Sequence, residues 1–113
     1  MNPADAAARG ISNGQVVRIF NDRGACLAGI QLSEDLRPGV IELPTGAWFD
    51  PLDPLDPATL EVHGNPNVLT ADIGTSKLAQ GTSAHTCLVD VERFVGDLPP
   101  VRSHVQPQVF SPA

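Results

Sequence analysis

Ten glycines and eleven prolines, spread along 113 residues, leave this chain almost no stretch in which a helix could run for three turns. Proline removes a backbone donor and fixes φ, glycine weakens a helix interior, and clusters of the two mark turns. The chain therefore reads as a loop-rich β protein and not as a helical bundle. Its length suits one domain. Hydrophobic residues at 42% suffice for a single core, although only 4% of residues are aromatic.

Within that punctuation the elements can be placed. The first nine residues read as a short helix: Asn2 caps it, Pro3 suits the first helical position, Asp5 favours the positive end, and Gly10 stops it after Arg9. So short a helix must pack on something to persist. The β-rich runs 16–20 and 26–32 flank the turn sequence Asn21-Asp22-Arg23-Gly24 and predict a hairpin. Short strands are expected at 40–43 and 60–62, and residues 88–94 alternate apolar and polar as a half-buried strand does.

Residues 44–84 are rich in Gly, Pro, Asn, Asp, Ser and Thr, a stretch far longer than an ordinary connection and of the length that functional loops have. Asp-Pro occurs three times within 50–57, which reads as a surface meander. Beyond Gly96 the prolines at 99, 100, 107 and 112 predict an irregular, frayed tail, so that 1–96 forms the domain and 97–113 the tail. Several strands, one short helix and long polar loops favour a small mixed β-barrel over a sandwich. A closed sheet disposes of its edges while its loops meet at one end to form a site.

Thirteen acids against seven bases give a net charge of -6, which argues against a nucleic-acid groove and against a polybasic membrane patch. No apolar run approaches the ~20 residues of a spanning helix. Met1-Asn2-Pro3-Ala4-Asp5 has neither the basic nor the apolar segment of a signal peptide, so none is expected. Cys26 and Cys87 are too few for a disulfide scaffold, and both sit in apolar runs, where buried thiols are expected; a disulfide between them stays open at this point. The thiols lean toward the cytoplasm, with the periplasm left open.

Three stretches carry candidate chemistry: 45–50 with Gly46 and Trp48, 63–70 with Asn67, and 74–81 with Thr75, Ser76 and Gln80. Each combines glycines with neutral hydrogen-bonding side chains, which can hold an anion through backbone N–H groups and hydroxyls without a positive patch. The amides of Asn67 and Gln80 pair a donor with an acceptor, as reading the edge of a heterocyclic ring requires. Other constellations do poorly. Ser76 and Ser83 lie near His85 with Asp72 or Asp90 at hand, but no nucleophile elbow surrounds either serine. His63, His85 and Cys87 show no zinc-ligand spacing, and Gly74-Thr75-Ser76-Lys77 lacks the leading glycine of a phosphate loop. His63 is expected as a loop residue bonded to backbone, His85 at a strand edge, and Trp48, in its plainest reading, as a partly buried core anchor.

Taken together, NPADAAARGI (2–11), VVRIFNDRGACLAG (16–29), RPGVIELPTGAWFDP (37–51), HGNPNVLTADIGTSKLAQG (63–81) and VERF (91–94) resemble one family. It is the C-terminal molybdopterin-dinucleotide-binding domain of the dimethyl sulfoxide reductase superfamily, in the branch of biotin sulfoxide, trimethylamine N-oxide and dimethyl sulfoxide reductases. The resemblance implies a double-psi β-barrel of the aspartate-decarboxylase-like kind. It implies contacts to a bis(molybdopterin guanine dinucleotide) molybdenum cofactor, whose metal carries out oxygen-atom transfer on S-oxides or N-oxides. Residue by residue it points to Asn67 and Gln80 as cofactor hydrogen-bonders, with Thr75, Ser76, Gly46 and Trp48 lining the site; no residue of this chain corresponds to a catalytic group or a metal ligand.

Against that family the chain begins partway into the domain, without the strand and the His-Ser-Gln segment that precede NPADAAARG. The expectation is a C-terminal fragment, inert alone, whose partners are the remaining domains of a parent oxidoreductase. Its open barrel edge could be covered by dimerisation. A stand-alone small barrel that binds an unrelated ligand is the competing reading.

Overall fold

A computed structural model describes residues 1–83, 87–107 and 109–112. Among them the fold is mainly β, with one short helix and a three-stranded antiparallel sheet in the order β2-β1-β3, where β1 is Val16–Phe20, β2 Ala25–Gly29 and β3 Asp90–Arg93. The hairpin forms where the sequence predicts it, in the register Val16↔Gly29 to Phe20↔Ala25. Asn21 closes its turn: the Asn21 N–H donates to the Gly24 carbonyl at 3.0 Å, and its Oδ1 accepts from the N–H groups of Arg23 and Gly24.

β1 is the centre of the sheet because its alternation is the cleanest in the chain. Val17 and Ile19 turn inward and are buried, while Arg18 faces out and meets Glu92, its register partner on β3, at 3.0 Å. The Arg18 guanidinium also lies 4.2 Å from the Phe20 ring centroid. Val17, Ile19, Cys26 and Val91 join Met1, Ala6, Ile11 and Leu69 in one core. Each fully buried aliphatic side chain contributes roughly 1.5–3 kcal/mol.

The helix α1, Pro3–Ala8, has the cap its sequence promised, with the Asn2 Oδ1 accepting from the Ala4 N–H at 2.9 Å. It is held by tertiary bonds: the Asn2 side-chain amide donates to the Leu36 carbonyl, and the Asp5 carboxylate accepts from the Gly39 N–H, both at 2.7 Å. The Asp-Pro run is the surface meander expected, its turns closed by Asp53 and Asp56 side chains that accept from the Leu55 and Ala58 N–H groups.

Several expectations are corrected. Among the described residues, 40–43 form no ladder; Ile41 and Leu43 pack on the core and Glu42 faces out, so the alternation is real but no described strand pairs with it. At 60–62 only Glu61 bridges, to Cys26 on one side and Pro51 on the other. The last strand is shorter than 88–94, with Leu88 exposed. Trp48 is 73% exposed and anchors no core. Cys87 is half-buried, its sulfur drawn into a polar cluster at Asn21, Arg23 and Leu69. Cys26 is buried as expected, and both cysteines are free thiols.

The chain leaves much surface uncovered. Its accessible area is 8285 Å², against about 5,900 Å² for a compact monomer of its mass of 11.9 kDa. Its radius of gyration is 16.3 Å, where about 13 Å is usual for this length. Exposed apolar side chains include Trp48, Phe49, Leu55, Ile73, Leu78 and Leu88. No helix among the described residues is long and apolar enough to cross a membrane.

Gly24 sits where the hairpin turn meets the 63–70 loop, and a Cβ there would lie 2.6 Å from the Val68 carbonyl oxygen. A backbone atom cannot swing aside as a side-chain tip can. Gly24→Ala should therefore destabilise the fold by about 1–3 kcal/mol, read as a fall in the denaturant midpoint; an unchanged midpoint would show that the two loops part freely.

Candidate cofactor-binding site

Two of the three candidate stretches, 45–50 and 63–70, are held together by one carboxylate, that of Glu61. Glu61 is 0% exposed. Its Oε1 accepts from the N–H groups of Asp50 at 3.2 Å and His63 at 2.9 Å, and its Oε2 from that of Asn65 at 2.7 Å. Its own backbone joins β2, the Leu27 N–H donating to the Glu61 carbonyl and the Glu61 N–H to the Ala25 carbonyl. A buried carboxylate is tolerated only when such donors replace its water.

Asn65, also buried, extends the clamp. Its side-chain amide donates to the Ala47 carbonyl at 3.1 Å, and its Oδ1 accepts from the Asn67 N–H at 2.9 Å, capping the 3₁₀ turn Pro66–Val68. The 45–50 stretch with Gly46 and Trp48 is thereby tied to the stretch that carries Asn67. Asn67 itself is exposed, and among the described residues its side-chain amide makes no hydrogen bond. The only signal for Glu61 was its isolated position in a short apolar run, which is not enough to reveal a buried clamp.

The 74–81 stretch is a compact turn with its own network. The Ser76 hydroxyl accepts from the Leu78 and Ala79 N–H groups, and the Thr75 and Ser76 hydroxyls donate to the Ala79 carbonyl. The Gln80 side-chain nitrogen donates to the Ser76 carbonyl at 2.8 Å, leaving its Oε1 without a donor among the described residues. Gly74 permits this: a Cβ there would collide with the Gln80 amide. Thr75 and Ser76 thus shape the turn, whereas Gln80 keeps an acceptor to offer. Lys77, the sole lysine, is exposed in the same turn.

The base of this long loop is pinned at one atom. The Leu69 carbonyl accepts from the Asn21 side-chain amide at 2.8 Å, the Arg23 Nε at 2.7 Å and the Cys87 thiol at 2.9 Å, while Asn21 also donates to the Leu88 carbonyl. Beside it runs a groove of about 540 Å³ lined by Leu43, Thr45, Pro66, Leu69, Thr70 and Val89. His63 lies on the outer side, its ring 2.7 Å from the Ser103 hydroxyl instead of on backbone as expected. Arg102 pairs there with the Asp50 carboxylate at 2.6 Å. No group of three potential metal ligands occurs among the described residues, and His85 lies outside them.

Residues 1–88, a span that includes both amide-bearing loops and the clamp beneath them, match the molybdopterin dinucleotide binding domain family. The chain belongs to that family. This molybdopterin dinucleotide binding domain is 54% identical over 96 residues to the dimethyl sulfoxide/trimethylamine N-oxide reductase of Cereibacter sphaeroides, a match of 85% of the chain and 12% of the relative. It is 57% identical over 96 residues to trimethylamine-N-oxide reductase 1 of Escherichia coli (strain K12), covering 85% and 11%. It is 55% identical over 97 residues to the biotin sulfoxide reductase of Cereibacter sphaeroides, covering 86% and 13%. The domain thus spans about an eighth of the length of these relatives.

The clamp leaves an electrostatic mark on this domain. Burial first, and then the negative charge of Glu61, push the Cys26 thiol up to about 12 from an ordinary value of 9.0. The folded state therefore holds this proton more tightly than the unfolded chain. The associated stabilisation is complete below pH 9 and is lost as pH rises from there toward 12, at up to about 1.4 kcal/mol per pH unit. Cys26→Ala should flatten the fall in stability above pH 9 measured by denaturant titration. Thiol reagents at pH 8 should label Cys87 first and Cys26 only on unfolding; prompt labelling of both would contradict the buried thiol.

Proposed function

We propose that this chain binds a bis(molybdopterin guanine dinucleotide) molybdenum cofactor as the C-terminal domain of a longer oxidoreductase that reduces S-oxides or N-oxides. The observation that supports this best is the match over 1–88, which spans the loops of Asn67 and Gln80 and stands beside relatives named as reductases of those oxides. When bound, such a cofactor supplies two-electron oxygen-atom transfer at its metal. The chain's own work is to bind and orient it.

The side chains fit that work. Asn67 offers a donor and an acceptor from a turn that Asn65 fixes, and Gln80 an acceptor from a turn that its own amide nitrogen helps to close. Thr75 and Ser76 hold the turn that presents Gln80, and Gly46 and Trp48 border the site from the 45–50 loop. An acidic domain can accept a phosphate-bearing ligand this way because the donors are neutral amides and backbone N–H groups, which need no opposing charge.

The rest of the proposal concerns what surrounds the domain. We assign residues 1–96 to a double-psi β-barrel and 97–113 to a tail. The outer edge of β3 pairs with no strand among the described residues, and it is there that a further strand or a second copy would add. The excess exposed area and apolar side chains are what a domain shows when other domains of the same enzyme normally cover it.

Two measurements test this. An antibody against the chain should detect a native product several times larger than 11.9 kDa; a band near that mass would remove the oxidoreductase reading. In that product, Asn67→Ala and Gln80→Ala should lower the content of pterin dinucleotide and molybdenum without lowering thermal stability. Each lost hydrogen bond is worth on the order of 1–3 kcal/mol where its partner stays buried. Unchanged cofactor content in both variants would take these residues out of the site.

A further inference from the structure

Asn67 is not anchored by its own side chain among the described residues; what fixes it is the buried pair beneath it. The Glu61 carboxylate receives amides from the 45–50 loop (Asp50) and from the 63–70 loop (His63 and Asn65). Asn65 then spans the same two loops a second time, through Ala47, and caps the turn that sets the direction of Asn67. Both side chains are buried, so neither can reach a ligand, and both spend their polar atoms on backbone. The two loops are therefore not independent: each is in register with the other through one carboxylate and one amide.

We infer that Glu61 and Asn65 are positioning residues that lock the 45–50 and 63–70 loops into a single cofactor-binding surface. This rests on the reading that Asn67 contacts the cofactor. Glu61→Gln keeps the side-chain shape but replaces one acceptor oxygen with an NH₂ group, which cannot accept from the amide it would face. At least one of the three clamp bonds is lost, and the loops gain freedom relative to each other while the sheet keeps its core. A preorganised surface binds more tightly because its ordering is not paid at the moment of binding.

The test uses the native full-length product that carries this chain, stripped of cofactor and reloaded with the molybdenum dinucleotide cofactor. Retained pterin is read by fluorescence after oxidation. Glu61→Gln should raise the dissociation constant at least tenfold at matched folded fraction. Ile11→Val, a core truncation that removes none of the clamp's hydrogen bonds, should leave it unchanged, which separates positioning from mere loss of stability. If Glu61→Gln does not fold, Asn65→Ser serves: serine can still cap the turn but cannot span to Ala47, and a severalfold loss is expected. Wild-type retention by Glu61→Gln or Asn65→Ser, with loss in Asn67→Ala, would overturn the inference and leave the cofactor reading standing. Full retention in Asn67→Ala and Gln80→Ala as well would overturn both.

Discussion

A carboxylate with no access to water has to be solvated by the protein, and that demand at Glu61 organises the loops of this domain. Removing such a charge from water costs several kcal/mol. Hydrogen bonds to a charged acceptor return about 1.5–3 kcal/mol each. The N–H groups of Asp50, His63 and Asn65 meet the demand, the last two from the turn that follows Glu61 and the first from the 45–50 loop. Because the Glu61 backbone is also bonded to β2, the requirement passes from the sheet to the loops through a single residue. The order of the long polar stretch begins there.

The same logic explains how a chain with so little sheet holds long loops in place. Three short strands and a one-and-a-half-turn helix bury a small core, so the loops cannot rely on apolar packing. They are fixed at a few polar junctions instead. One is the Glu61–Asn65 pair, and another is the Leu69 carbonyl, on which Asn21, Arg23 and Cys87 converge. A carbonyl has two lone pairs, so three donors on it make a crowded junction, and it closes the base of the loop that carries Gln80. The hairpin turn does double duty here. Asn21 and Arg23 end β1 and open β2, and their side chains also tether the far loop.

What could be read from the sequence follows from the range of the interactions involved. The helix cap at Asn2, the hairpin around Asn21-Asp22-Arg23-Gly24 and the Asp-Pro meander are local, and local chemistry announces itself in consecutive residues. Residues 40–43 have the right alternation, but pairing depends on a neighbour that no single segment reveals, and among the described residues they form no ladder. Residue type alone makes Trp48 look like a core anchor, whereas its loop is held outside the core by the Glu61 and Asn65 bonds. Glu61 is hidden in the sequence for a related reason. A glutamate between two aliphatic residues looks like the outward position of a strand, and only the amides of His63 and Asn65, turning back from the next few residues, with that of Asp50 from the other loop, make it the inward one.

The two asparagines of Gly64-Asn65-Pro66-Asn67 show why residue type alone could not assign the site. They are chemically identical and two positions apart, yet Asn65 is buried with donor and acceptor both committed, while Asn67 is exposed with neither committed among the described residues. Proline between them fixes the turn so that the first side chain points back under the loop and caps it, leaving the second free. Asparagine suits both tasks because its amide offers donor and acceptor from one rigid group. A motif of this kind encodes a support and a contact together, and separating the two requires knowing which amide the interior has already used.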